Sequence, residues 1–144
     1  MINKIFLRLF IISALATFGL ASDTAKKVYV ARRTNPHAPI IDGRLDEAAW
    51  EKADWQGDFT QRQPHDGAEP SQETAFKILY DSKNLYVGIR AYDTEPEEIV
   101  KRVTRRDRFE GDWVEINIDS YFDHRSGFSF TINAAGVKGD EYIS

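Results

Sequence analysis

Asp112-Trp113-Val114-Glu115-Ile116-Asn117-Ile118-Asp119 alternates apolar and polar side chains along its length, and Phe128-Ser129-Phe130-Thr131-Ile132-Asn133-Ala134 repeats the pattern after a turn-forming stretch, Phe122-Asp123-His124-Arg125-Ser126-Gly127. A period of two places successive side chains on opposite faces of a strand. Val114, Ile116 and Ile118 therefore share one face, and Trp113, Glu115, Asn117 and Asp119 share the other. In the second run Phe128, Phe130 and Ile132 oppose Ser129, Thr131 and Asn133. Packing both apolar sets against a core predicts one surface carrying Trp113, Glu115, Asn117, Thr131 and Asn133.

Working outward, Thr74–Tyr80 and Leu85–Ala91 also alternate, and the short polar link Asp81-Ser82-Lys83-Asn84 joins them as an antiparallel hairpin. Phe76, Ile78 and Tyr80 are expected on one face with Lys77 on the other. Leu85, Val87, Ile89 and Ala91 oppose Tyr86, Gly88 and Arg90. A last run from Val137 to Ile143 follows Ala135-Gly136, and Val28–Ala31 reads as a short first strand. Two short helical segments are expected. One lies near 46–53, with Asp46 as N-cap and Trp50 facing the core beside Trp55; the other lies near 96–103, where Ile99, Val100 and Val103 give weak periodicity. At least six short strands with turns between them predict an all-β fold, an antiparallel β-sandwich of jelly-roll type. The charged excursion from Asp93 to Gly111 is the long loop of this fold.

The chain has 23 acidic and 19 basic residues and no cysteine. That balance gives no reason to expect nucleic acid, and the core must come from packed strands rather than disulfides. The basic cluster Lys101-Arg102, Arg105-Arg106 and Arg108 is interleaved with Asp107 and Glu110 and reads as a solvated surface. Lys4 and Arg8 precede and interrupt an apolar stretch from Phe6 to Leu20. This is the pattern of a secretory signal peptide over 1–21, cleaved near Ala21; a membrane anchor would need roughly 20 clean apolar residues. The expected plan is a signal peptide at 1–21, an N-terminal strand and linker at 22–37, and a sandwich domain at 38–144. Such a protein is exported to the periplasm, the outer membrane surface or the medium, and meets a membrane only in translocation or through a larger envelope partner.

The surface expected around Trp113, Glu115, Asn117, Thr131 and Asn133 has the composition a sugar site needs. A pyranose has a C–H face that stacks on an aromatic ring and a rim of hydroxyls that pair with carboxylate and amide groups. The same composition is also expected of the wet face of a half-buried sheet. Both readings stand on the pattern alone.

Three segments together carry a resemblance: Ile41-Asp42-Gly43-Arg44-Leu45-Asp46-Glu47-Ala48-Ala49-Trp50, then Leu79-Tyr80-Asp81-Ser82-Lys83-Asn84-Leu85-Tyr86-Val87-Gly88, then Asp112–Asp119. The chain resembles a family 9 carbohydrate-binding module. In particular it resembles the version near the N-terminus of long secreted proteins of Bacteroidetes-type bacteria, whose C-terminal part is a large domain of unknown function. The resemblance implies a terminal sugar held between two aromatic side chains, with hydrogen bonds from Glu, Arg and Asn. Carried over, Glu115 and Asn133 match as hydrogen-bonding residues and Phe109 as the first aromatic, with Trp113 as its substitute; Asn117 and Thr131 share their surface. The resemblance further implies structural calcium, for which Asp93 and Asp112 are the candidate ligands among the turn aspartates Asp42, Asp46, Asp81, Asp93 and Asp112. It also implies more strands after Ser144, including the second aromatic, so the domain is expected to be incomplete at its C-terminus and to have the rest of a larger protein as partner.

A catalytic role finds little support. Glycosidases need two carboxyl groups roughly 5–10 Å apart, whereas Glu115 and Asp119 lie about 13 Å apart along one strand. There is no Gly-x-Ser-x-Gly elbow and no His-Glu-x-x-His pair, and His37, His65 and His124 all fall in turn-like segments. Three readings remain: a non-catalytic module that binds poly- or oligosaccharide and serves polysaccharide degradation or uptake; a structural domain at the head of a larger envelope protein; and a fragment of a glycoside hydrolase.

Overall fold

A tight aspartate-closed turn and two alternating runs make the first sheet. The computed structural model describes residues 26–34 and 36–144. The expected signal peptide at 1–21 lies outside the described residues. Strand β1 is Arg32–Arg33, β2 is Thr74–Tyr80 and β3 is Leu85–Ala91, in the order β1-β2-β3. The β2–β3 hairpin has the expected register, from Thr74 opposite Ala91 to Tyr80 opposite Leu85. Asp81 closes its turn by accepting the backbone N–H groups of Lys83 and Asn84, each at 2.7 Å, and the Tyr86 hydroxyl at 2.7 Å. The Tyr86 bond first, and then the two backbone bonds, hold the Asp81 carboxyl far below the usual carboxylate range.

The core of this sheet sits on the face that carries Lys77. Leu79 is fully buried, with Trp50 and Ala53 around it and Leu45, Ala49 and Tyr86 packed against them. Burying a leucine side chain contributes about 2–3 kcal/mol. Lys77 shares this buried face, its ammonium donating to the Trp50 carbonyl at 2.9 Å and lying 4.7 Å from the Trp55 ring centroid. The helix segment sets this face, since it presses on the Lys77–Leu79 side. Gly88 makes that approach feasible, since a Cβ there would lie 2.8 Å from a Leu45 methyl and 3.2 Å from the Trp50 ring. Trp55 is not a core residue; it is partly exposed and lies over Lys77 and Arg90.

Three local expectations also shift. The helix α1 is only Ala48–Glu51 and its N-cap is Glu47, not Asp46. Glu47 is held there by the Ile40 N–H, which donates to Oε1 at 2.7 Å. The second helical segment shrinks to a 3-10 turn at Pro96–Glu98, because Val100 and Lys101 are drawn into pairing with Asp112 and Gly111. The first strand lies at Arg32–Arg33 rather than Val28–Ala31 and pairs parallel with Leu79 and Tyr80 of β2, so the first sheet is mixed.

The second sheet is antiparallel, β4 Trp113–Ile118, β5 Gly127–Asn133 and β6 Lys138–Ile143, in that order. Its pairs Trp113–Asn133, Glu115–Thr131 and Asn117–Ser129 put the polar residues on one face, and Val114–Ile132, Ile116–Phe130 and Ile118–Phe128 put the apolar residues on the other. On β4 coverage is as expected, with Trp113, Glu115 and Asn117 exposed and Val114, Ile116 and Ile118 half-buried, whereas on β5 it is the reverse of the expectation. Ser129, Thr131 and Asn133 are 5, 8 and 5% exposed, whereas Phe128, Phe130 and Ile132 are 37, 49 and 42% exposed. The loop over residues 100–112 covers part of the polar face, where it meets Asn133 and Gly139. The apolar face opens onto a cleft of about 640 Å³, to which the first sheet contributes Val87, Gly88 and Ile89 and the segment around α1 contributes Leu45 and Trp50. The two sheets form an all-β sandwich whose interior is only partly filled.

Candidate sugar-binding face

The loop that covers the polar face is tied down at both ends. Gly111 has φ +82° and sits where a Cβ would lie 2.3 Å from the Val100 carbonyl oxygen, so only glycine fits the crossing. Asp112 accepts the Val100 N–H at 2.9 Å through Oδ2 and receives the Ala134 N–H on its backbone carbonyl at 2.9 Å. At the other end the Asp107 carboxylate accepts the Asp140 N–H at 3.2 Å, and Arg106 forms an ion pair with Asp140.

Asn133 anchors the middle. Its Nδ2 donates to the Arg102 carbonyl at 2.8 Å, and its Oδ1 accepts the N–H groups of Ala135 at 3.0 Å and Val137 at 2.9 Å. Asn133 therefore holds the loop and the β5–β6 turn together from beneath the surface, and only one N–H of its amide is left over.

Phe109 is laid down on β6. A Cβ on Gly139 would come within 2.2 Å of Phe109 Cζ, so the ring lies directly on that glycine. Gly139 pairs with Thr131, and Thr131 pairs with Glu115. Phe109, Thr131 and Glu115 thus occupy one row across the sheet, with Phe109 and Glu115 about two strand spacings, roughly 10 Å, apart. Glu115 Oε2 accepts the Thr131 hydroxyl at 3.4 Å and Oε1 accepts Asn117 Nδ2 at 2.9 Å. Each carboxylate oxygen keeps a free lone pair toward solvent. Trp113 stands two residues before Glu115 on the same face and is 54% exposed.

All six expected site residues therefore lie on or against one face, in two kinds of environment. Trp113, Glu115 and Asn117 form an exposed lip along β4; Thr131 and Asn133 form a buried floor; Phe109 lies over the far side. Glu141 joins this face through its pairing with Ser129, in the row of Asn117, and is exposed. The register fixed by Gly139 could have revealed it from the sequence. Asp119 does not join the site, because its carboxylate accepts the N–H groups of Asp123 at 3.2 Å and His124 at 2.9 Å and closes the β4–β5 turn.

The expected calcium ligands are not brought together. Asp93 accepts the Glu95 N–H at 2.7 Å and Asp112 accepts that of Val100, each closing its own turn. Among the described residues no group of three His, Cys, Asp or Glu side chains converges as metal ligands do.

The sequence matches the model of the carbohydrate family 9 binding domain-like family over residues 41–137. The chain belongs to that family. No curated protein and no solved structure matches it. The matched span holds Phe109, Trp113, Glu115, Asn117, Thr131 and Asn133, whereas Gly139 and Glu141 lie beyond it. A carbohydrate-binding-module-like domain built this way offers an aromatic surface and fixed hydrogen-bonding groups on one side of one sheet, which is the chemistry a saccharide requires.

Proposed function

We propose that the exposed lip of the second sheet binds the end of a poly- or oligosaccharide chain, supported by the buried floor beneath it and without turnover by this domain, in an exported or cell-envelope protein that degrades or takes up polysaccharide. The observation that carries this reading is the convergence of Phe109, Glu115, Asn117 and Thr131 in adjoining rows of one face with Trp113 exposed beside them. Trp113 supplies the stacking surface, and Glu115 and Asn117 take the sugar hydroxyls. Because Asn117 and Thr131 already orient the Glu115 carboxylate, little ordering is needed on binding. One aromatic contact with two or three charge-assisted hydrogen bonds gives millimolar to micromolar affinity, about 4–8 kcal/mol.

The carboxylates present support binding rather than hydrolysis. Glu115 is engaged by Asn117 and Thr131, and Glu141 lies two strands and two residues away, about 12 Å between their backbones. The test is calorimetric titration with a saccharide first found on a glycan array. Glu115→Ala is expected to raise Kd at least about tenfold, because a charge-assisted bond to a hydroxyl is lost. Unchanged affinity in that variant would remove this face from the site.

One observation favours a second reading, a structural domain of a larger envelope protein. Phe130 and Ile132, with Val114 and Ile116, line an open cleft that another polypeptide segment of apolar character would fill. That reading predicts no hit on the array.

A further inference from the structure

The β4–β5 turn holds aromatic side chains away from the protein at an energetic cost. Tyr121 and Phe122 are 71 and 75% exposed. Phe122 has φ +54°, a left-handed conformation in which a bulky residue is a genuine outlier, and His124 has φ +57°. The turn is fastened on both sides of the aromatic pair. Asp119 accepts the N–H groups of Asp123 and His124, and Asp123 accepts those of Arg125 and Ser126, each at 2.8 Å, together with the Ser126 hydroxyl. The Phe122 and His124 rings lie 4.9 Å apart at 55°, which fixes the Phe122 ring without covering it. A turn with no binding role would relieve the strain with glycine or asparagine at 122.

We propose that Tyr121 and Phe122 form a second stacking platform for a neutral polysaccharide, separate from the Trp113–Glu115 face. This rests on the saccharide reading of that face and extends it to long chains. The turn lies at the opposite end of β4 from Trp113, roughly 20 Å away along the strand. A disaccharide does not reach both places, while a polymer touches both and gains affinity from the second contact without a new site at the first. The charge of the turn selects the ligand class. Two carboxylates, Asp119 and Asp123, face one guanidinium, Arg125, beside a histidine, so the turn does not attract an acidic polymer or an anionic bilayer.

The experiment uses the full chain in affinity electrophoresis through arabinoxylan, β-glucan and galactomannan, with the disaccharide of the retarding polymer measured by calorimetry. Phe122→Gly is expected to weaken polymer binding about five- to tenfold, to leave disaccharide affinity within about twofold, and to raise Tm by relieving the left-handed strain. Phe122→Trp keeps polymer binding. Polymer binding unchanged in Phe122→Gly but lost in Glu115→Ala overturns the second platform alone. An equal loss for polymer and disaccharide in Phe122→Gly also overturns it, since the two contacts would then be one. Co-sedimentation with phosphatidylglycerol vesicles that Phe122→Gly abolishes assigns the turn to a membrane and overturns it. No retardation of the unsubstituted chain by any of the polymers, and no hit on the glycan array, overturns both proposals.

Discussion

The two faces of the second sheet have opposite chemistry and opposite fates. The polar face is covered on β5, where Ser129, Thr131 and Asn133 are buried and the loop over 100–112 is tied to Asn133 and Gly139, and is exposed along β4, while the apolar face opens at Phe130 and Ile132 onto a cleft. Burial of a polar face is tolerable only because its groups are paired: Asn133 makes three hydrogen bonds to loop and turn, and Thr131 donates to Glu115. The lesson is that alternation decides which side chains share a face, whereas the connecting loops decide which face is covered.

Substitutions on the two faces should separate accordingly. The largest effect is expected for Asn133→Ala, which leaves the Arg102 carbonyl and two backbone N–H groups without partners. A loss of about 2–4 kcal/mol by urea denaturation is expected. Next comes Gly139→Ala, whose added methyl collides with Phe109. It should cost about 1–3 kcal/mol as overpacking and weaken saccharide binding as the ring is pushed off the sheet. Phe130→Ser on the open face should cost only about 1 kcal/mol, because roughly half the side chain is solvated already. A loss as large as that of Asn133→Ala would break the comparison, since the cleft would then be a packed core.

The smallest effect belongs to the turns. Asp123 is held below the usual carboxylate range, chiefly by the Ser126 N–H and then by Arg125 N–H and the Ser126 hydroxyl, and Asp81 is lowered likewise by Tyr86 and its own turn. A carboxyl group lowered in the folded state stabilises fully above its unfolded value, about 3.9, and loses that contribution as pH falls below it. Thermal melts should therefore be insensitive to these two groups from neutral pH down to about 5 and fall below about 4. Asp81→Asn should flatten the acid limb more than Asp123→Asn, as its shift is the larger. Equal slopes in all three proteins would remove both turns from the account.

Much of this arrangement was legible in the sequence. The strict alternation of Asp112–Asp119 and Phe128–Ala134 predicts the register that unites Trp113, Glu115, Asn117, Thr131 and Asn133, and the Asp81–Asn84 link predicts the first hairpin. The coverage was not legible, because the loop over 100–112 has no period and is positioned by long-range ties such as Asn133 to Arg102 and Phe109 to Gly139. A lone glycine within a strand run is a sign of close approach, and Gly139 carried that sign for Phe109. The two-residue parallel strand β1 gives no periodic signal at all. The buried Lys77 defied the usual polarity rule because its ammonium has a carbonyl and an aromatic face to meet.

The most direct test of the saccharide-binding face is an NMR titration that follows the three tryptophan indole N–H signals as a saccharide from the glycan array is added. The account predicts that the Trp113 signal shifts with saturation while that of Trp50, buried under the first sheet, stays in place. A saturable shift at Trp50 or Trp55 with none at Trp113 would contradict it.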